Sequence, residues 1–537
     1  MARWKGSSKE QSFREYGREL LIQEKGWVPQ KRGAPVRIAL VYPNRYEVGM
    51  ASLGFQTVYR LFNEHPEVRC ERAFLLHAPF DQDIRTLESG ERLDRFDLVG
   101  FSLSFELDFL NLIRCLMNAG IPLLAKDRKE RDPLIFAGGV VVSLNPSPLF
   151  PFVDGLLVGE GEEVFHRMAD VLFSLRKGKG FREDRLRMLG KIDGIFSPRL
   201  NGPVKRQILS SLEPYPTYTP IVTPLSHFEN MFVVEVGRGC TKGCLFCAAQ
   251  KVYHPYRFRS AESIVEIIAK LNPGSNRVGL EGAGLSDYPD LESLCETLGG
   301  MGYEVSLSSI RADRVTSELV EIVELVGLKS LTIAPEAGSE RLRQSIGKGI
   351  KDDVLQAVVR QLGDSTIAVL KLYFLIGLPN ETDEDVESIV DLVRELTPIF
   401  VSRDNKKRIR LSVNAFVPKP FTELQWVPMA TERELSRKRK MIHQGLKSEK
   451  GVFIVPKSSR AEILQGVISL GDENVGLAMM DVLNKAIPWK GAIKERGMNI
   501  DTILHRERSY DAEFPWDCIH YEVSKERLWN RYKRHFN

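Results

Sequence analysis

Short apolar runs of the kind that form buried parallel strands recur along this 537-residue chain, each separated from the next by a stretch of helical periodicity. Strand–helix alternation demands a parallel sheet, because parallel neighbours need a long crossover and a helix is the usual one. The alternation occurs twice. The first set is Val36-Arg-Ile-Ala-Leu-Val-Tyr42, Leu98-Val-Gly-Phe-Ser102, Leu134-Ile-Phe-Ala137 and Gly155-Leu-Leu-Val158, with helical stretches such as Gly54–Glu64 and Leu107–Ala119 between them. It predicts a doubly wound, Rossmann-like parallel sheet over residues 36–200. The second set is Phe232–Val236, Arg277–Glu281, Glu304–Ser309, Ser330–Pro335, Val369–Gly377 and Arg410–Val417, spaced by helices that include Ala261–Leu271 and Ser317–Val326. Six βα units over 225–430 predict a partial (β/α)6 barrel. A charged lead-in, 1–35, precedes these modules, and a mainly helical accessory region, 431–537, follows them. More than one module is expected, since single cores stop growing at about 250–300 residues.

Sheets of both kinds bind ligands at the carboxyl ends of their strands. After the first strand of the second set comes Gly237-Arg-Gly-Cys-Thr-Lys-Gly-Cys-Leu-Phe-Cys247. Cys240, Cys244 and Cys247 can grip one iron–sulfur cubane, which normally takes four cysteines. Three leave one iron open, and an open position is where a metal does chemistry. Zinc, with His254 as fourth ligand, is the alternative, but structural zinc sites usually pair two separated C-x₂-C knuckles, and no second knuckle is present. Cys70, Cys115, Cys295 and Cys518 are singletons. Cys295 shares a helical apolar stripe with Leu291, Leu294 and Leu298 and reads as a small buried hydrophobe.

The C-x₃-C-x-aromatic-C loop, with Phe246 as the aromatic, resembles the signature of the radical S-adenosylmethionine (SAM) superfamily. The resemblance implies a 4Fe–4S cluster on the three cysteines, SAM on the open iron, and reductive cleavage of SAM to a 5′-deoxyadenosyl radical. It places SAM along the later strand ends. Gly282 and Gly284 fall where the family has a Gly-Gly-Glu segment, although the acid is missing. Arg311 is either a partner for the SAM carboxylate or a salt bridge to a barrel carboxylate. Glu336 falls where relatives hold the SAM ribose, and the backbone near Phe416 would pack the adenine. Ser339 and Thr382 read as helix caps, the latter with Asp385 at the capping-box position.

The N-terminal layout resembles the cobalamin-binding domain that precedes many radical SAM modules. Asn44-x-Tyr46-x-x-Gly49 stands where D-x-H-x-x-G is expected, and Ser102 and Gly138-Gly139 match the later elements of that pattern. Tyr46 replaces the histidine that would ligate cobalt. Two outcomes remain open: cobalamin bound without a protein nitrogen ligand, or the fold kept without the cofactor. Asn44–Met50, Ala334–Arg343 and Val417–Phe421 together resemble an uncharacterised subfamily, over about residues 36–520, that carries no known substrate.

Net charge of +4 is small for this length and gives no general argument for nucleic acid, which is not excluded. Basic runs at Lys126–Arg131, Arg403–Arg410, Arg437–Lys440 and Arg527–Arg534 read first as solvated faces. No secretory h-region or membrane-length apolar run is seen, and seven cysteines with three in a metal-like loop suit a reducing cytoplasm. The resemblance adds an electron donor such as flavodoxin or ferredoxin as partner. The expected function is that of a radical SAM enzyme of unknown substrate, with cobalamin-dependent methyl transfer as one reaction. The alternatives are an RNA- or ribosome-modifying methylthiotransferase-like enzyme, which lacks support from a second cysteine triad or an appended RNA module, and a non-catalytic metal-binding scaffold.

Overall fold

The computed structural model describes residues 9–31, 33–75, 83–178, 181–200, 202–401 and 406–536. The start of the basic run Arg403–Arg410 and parts of the lead-in lie outside the described residues.

The N-terminal module is one sheet of β1 (Val36–Tyr42), β2 (Val68–Phe74), β3 (Leu98–Ser102), β4 (Leu134–Gly138), β5 (Gly155–Leu157) and β6 (Ile195–Phe196). Its strand order is β2-β1-β3-β4-β5-β6, parallel except for β6. The order reverses between β1 and β3, which opens a crevice at their carboxyl ends. Sequence reading misses β2 because Arg69, Glu71 and Arg72 interrupt its apolar run. The structure satisfies those charges internally. Arg72 is held by Glu24 and Glu88, and Glu71 accepts from Thr86 at 2.6 Å.

The two faces of this sheet bury different neighbours. Ile38, Leu40, Leu98 and Phe136 meet Phe55, Tyr59 and Phe62 of helix α1 (Leu53–Glu64) and Val164 and Met168 of α2 (Glu162–Gly178). Ala39, Val41, Val99, Phe101 and Ile135 turn to the other face, in one core with Leu112 and Leu116 of Asp108–Asn118. Burial of each large side chain contributes roughly 1.5–3 kcal/mol.

The second module contains all six expected strands, as β7 (Met231–Arg238), β9 (Arg277–Gly282), β10 (Glu304–Leu307), β11 (Ser330–Glu336), β12 (Val369–Ile376) and β13 (Arg408–Ala415), with two short additions, β8 (Arg257–Phe258) and β14 (Val452–Ile454). They form two four-stranded sheets, β8-β7-β9-β10 and β11-β12-β13-β14, rather than one continuous ladder. The Ile310 N–H donates to the Thr332 carbonyl at 3.1 Å across the gap, and no barrel closure occurs among the described residues. Strand alternation sorts the side chains by face. Val234, Leu280, Leu331, Leu370 and Leu411 join the core that holds Ile264, Ile268, Leu294 and Leu298 of the surrounding helices. The opposite, concave face carries Glu235, Glu281, Thr332, Lys371, Tyr373, Arg410, Ser412 and Asn414.

The C-terminal region is mainly helical and bridges both modules. Asn145 Nδ2 donates to the carbonyls of Ser469 and Gly471 at 3.1 and 2.7 Å, and the Tyr521 hydroxyl donates to the Ser143 carbonyl at 2.6 Å. No described helix is long and apolar enough to cross a membrane.

Candidate functional site

The cysteine loop leaves the end of β7 and is clasped from three directions. The Leu245 N–H donates to the Ile346 carbonyl at 3.0 Å. A Cβ on Gly347, at φ +73°, would come within 2.9 Å of the Gly243 carbonyl, and one on Gly284 within 3.1 Å of Cys240 Cα, so only glycine allows these segments to lie so close. From the C-terminal helix Lys525–Phe536, Arg531 Nη2 donates to the Gly243 carbonyl at 3.0 Å, while Nη1 bonds Glu423. Glu423 is fully buried and also receives Lys251 Nζ at 2.9 Å. The C-terminal region thus touches the loop directly as well as packing beside the module.

All three loop cysteines are free thiols; Cys244 is buried and Cys240 and Cys247 are partly so. No trio of His, Cys, Asp or Glu among the described residues is grouped tightly enough for a single metal ion. A donor set of three thiols suits a cubane, which spreads its sulfur ligands around a cluster instead of drawing them to a point. Asp287, which sequence reading left without a role, accepts from the Thr241 hydroxyl at 2.7 Å and lies 3.9 Å from Cys240 Sγ. Arg311 is committed to carboxylates, bonding Asp287 and, at 3.0 Å, Asp313. This is the ion-pair alternative for that residue. Phe246 packs half-buried against the core.

Glu336 ends β11 at a register shift and holds φ +72°, a conformation rare outside glycine and typical of sites where a side chain is re-aimed. Burial raises its carboxyl pKa, and Lys348 Nζ lies 3.5 Å away. Phe416 is buried, and its N–H donates to the Ile376 carbonyl at 2.9 Å. Ser339 caps its helix, and Thr382 and Asp385 form a reciprocal box, the Thr382 N–H donating to Asp385 Oδ2 at 2.8 Å.

Between the modules lies a cavity of about 380 Å³. One wall is the N-terminal sheet and its helices: Leu40, Gly100, Ser102, Phe136, Gly138, Gly139, Phe62 and Phe165 contribute to it. The other is made by strand ends of the second module, Gly237, Arg238, Gly282 and Ala283. Ser102, Gly138, Gly139 and Gly282 therefore converge on one space. Asn44, Tyr46 and Gly49 do not line it. Tyr46 is buried against Phe74, and its hydroxyl donates to Glu24 at 2.7 Å, away from the cavity. Gly49 abuts the Phe74 ring so closely that a Cβ would fall 2.4 Å from it. Asn44 Nδ2 donates to Asp108 Oδ1 at 3.1 Å at the crevice between β1 and β3. Burial raises the Asp108 pKa to about 6.

A second residue missed from sequence is Glu281. It is paired in register with Glu235 and projects into the cavity directly before the glycines where the expected acid was absent. Desolvation and the Glu235 charge raise its pKa. An acid at the last position of a strand was the available signal.

Residues 54–198 match the family model of radical SAM proteins, N-terminal, and residues 234–393 match that of the radical SAM superfamily. The chain belongs to the radical SAM superfamily. It is accordingly an enzyme that uses a 4Fe–4S cluster and SAM. Among curated proteins, an uncharacterised protein of Methanocaldococcus jannaschii is 29% identical over 453 residues, covering 82% of this chain and 89% of that protein. The ribosomal protein uS12 methylthiotransferase RimO of Thermotoga maritima is 23% identical over 261 residues, covering 44% of this chain and 60% of that protein. Among solved structures, the radical SAM methyltransferase TsrM from Kitasatospora setae, with cobalamin and a 4Fe–4S cluster bound, superposes with a TM-score of 0.51 at 13% identity, covering 86% of this chain and 98% of that chain. At that identity the likeness to TsrM is one of fold.

Proposed function

We propose that this chain is a cobalamin-dependent radical SAM methyltransferase. The observation that carries the reading is the cavity shared by the two modules, mostly apolar on the N-terminal side apart from Glu160 and Glu162, and edged by the strand ends that adjoin the cysteine loop on the other. Its size is within the range of small-molecule sites, about 300–1,000 Å³. The cradle is shaped by small residues: a Cβ on Gly54 would meet nothing within 4 Å, and Gly100 and Gly138 keep the floor low. These features suit the apolar tail of a corrinoid. No histidine lines the cavity among the described residues, so cobalamin here would have no protein nitrogen ligand from this wall.

When bound, the cluster supplies the electron for SAM cleavage and cobalamin supplies a methyl carrier. The chain's part is to bind, orient and exclude water. In this reading Cys240, Cys244 and Cys247 hold the cluster, with Arg531 and Gly347 fixing the loop. Gly282 and Gly284 let SAM lie close to the backbone, Glu336 faces the ribose and Phe416 closes the adenine side. Glu281, directly before Gly282, is the carboxylate that would contact the SAM amine. An electron donor of the flavodoxin or ferredoxin class completes the system, and the cytoplasm is the compartment that keeps such a cluster reduced.

The test is anaerobic reconstitution with iron, sulfide and hydroxocobalamin, followed by SAM and a strong reductant. One cobalamin per chain, formation of methylcobalamin from methyl-labelled SAM and release of 5′-deoxyadenosine or S-adenosylhomocysteine are expected. Protein that cleaves SAM but shows no affinity for cobalamin would remove the methyltransferase reading and leave a radical SAM enzyme of another type.

A further inference from the structure

The concave face of the second module carries a charge arrangement that folding alone does not explain. Lys371 on β12 and Arg410 on β13 are direct partners in the parallel register. Neither is in a salt bridge or hydrogen bond among the described residues, although charges elsewhere in the chain are matched closely, as Arg238 is by Glu162 and Glu235. Burial, and after it the Arg410 charge, lower the Lys371 pKa. Like charges placed directly opposite one another cost stability. On the same face the Tyr373 and Phe453 rings stand 39% and 55% exposed, and Phe453 is the register partner of Arg410. Thr332, Ser412 and Asn414 supply hydroxyl and amide groups around them.

We infer that Lys371 and Arg410 form an oxyanion subsite for the substrate, which therefore bears a phosphate or carboxylate group, with Tyr373 as a platform for an adjacent ring. Arg410 offers a planar fork that grips such a group bidentately, and Lys371 adds a point charge. The position fits an elongated molecule. Thr332, in register with Lys371, lies four residues down β11 from Glu336, or roughly 13 Å at about 3.3 Å per residue. An anionic end held there leaves the reacting carbon near the strand ends, where the cysteine loop lies. The inference rests on the enzyme reading above, since it names the class of that enzyme's substrate.

The experiment is calorimetric titration of the full-length, cluster-loaded chain with inorganic pyrophosphate and, separately, citrate. Saturable binding that weakens at least tenfold in Lys371→Met and in Arg410→Met, but not in Lys440→Met on the C-terminal helix Glu432–Gly445, is expected. Binding of pyrophosphate alone assigns a phosphate-bearing substrate, of citrate alone a carboxylate-bearing one, and of both an oxyanion site without that preference. No binding of either, or binding undiminished in both variants, overturns the inference. Thermal unfolding gives an independent reading: each methionine variant, relieved of one repelling charge, should melt no lower than the parent. A drop of several degrees in both would make the pair structural and overturn the inference as well. Parent protein that binds an anion yet never cleaves SAM breaks the functional reading and spares this one. Protein that cleaves SAM and binds neither anion does the reverse.

Discussion

The cavity of the N-terminal sheet and the concave face of the second module are both built on parallel strands, yet they present opposite chemistry. The first is a gap among Leu40, Phe62, Phe136 and Phe165, opened because Gly100, Ser102 and Gly138 stand where larger side chains would have filled it. The second carries Glu281, Lys371, Tyr373 and Arg410 on strands whose alternate residues are fully buried. The difference lies in what covers each face. Helices α1 and α2 cover the first, so its surface is apolar by necessity and a ligand must enter by shape. The second carries polar groups on its strands, so in the proposed reading a ligand there is met by charge. A gap in a core and unmatched charges on a sheet each cost stability, and both costs are repaid only by something bound.

The largest test of this contrast is at the loop that joins the two regions. Replacing Cys240, Cys244 and Cys247 together by Ala should lower iron from about four per chain to background, by the coordination of a cubane. Cys295→Ala, in a helix core, should leave iron unchanged. Iron and sulfide analysis after anaerobic reconstitution decides it.

Filling the apolar cavity should separate its function from that of the cluster. Gly54→Phe places a ring into open space, and cobalamin binding should fall by at least tenfold while iron content holds, as read by the cobalt-to-iron ratio. Equal loss of both would mean the cavity and the loop fold as one unit.

The crevice between β1 and β3 supplies a pH test. Because burial raises the Asp108 pKa to about 6, the folded state binds the extra proton between roughly pH 4 and 6. Stability from this group is therefore greatest at the acid end of that window and falls as pH rises through it. Asp108→Asn should flatten that slope and stabilise the protein at pH 7 by up to about 3 kcal/mol, the linkage value of a shift this large. Urea unfolding at pH 4.5 and 7 measures it, and an unchanged slope would show that Asp108 is solvated.

The smallest effect is expected at the C-terminal contact with the loop. Arg531→Met removes the bonds to Glu423 and the Gly243 carbonyl but leaves Lys251 in place. A loss of about 1.5–3 kcal/mol is expected, typical of hydrogen bonds to charged groups. The clearer sign is a changed paramagnetic spectrum of the reduced cluster, restored in part by Arg531→Lys. An unaltered spectrum would make the contact one of packing alone.

Strand–helix alternation specified the strands of both modules, and all six expected strands of the second module appear within two residues of their expected limits, because each strand must bury at least one apolar face against the helices around it. It did not reveal β2, whose buried Arg72 and Glu71 find partners only after Glu24, Thr86 and Glu88 are folded against them. The cysteine spacing pointed to the cluster because three thiols within one loop are a local property. Tyr46, Arg311 and Glu281 were decided at longer range. Tyr46 turned toward Glu24 and Arg311 toward Asp287 because buried polar groups take the nearest partner the fold supplies. Glu281 and the Lys371–Arg410 pair acquired meaning only when the β7–β9 and β12–β13 registers set them side by side. Spacing along the chain fixes which residues share a loop or a strand face. Only tertiary packing decides which charges find partners and which are left facing a ligand.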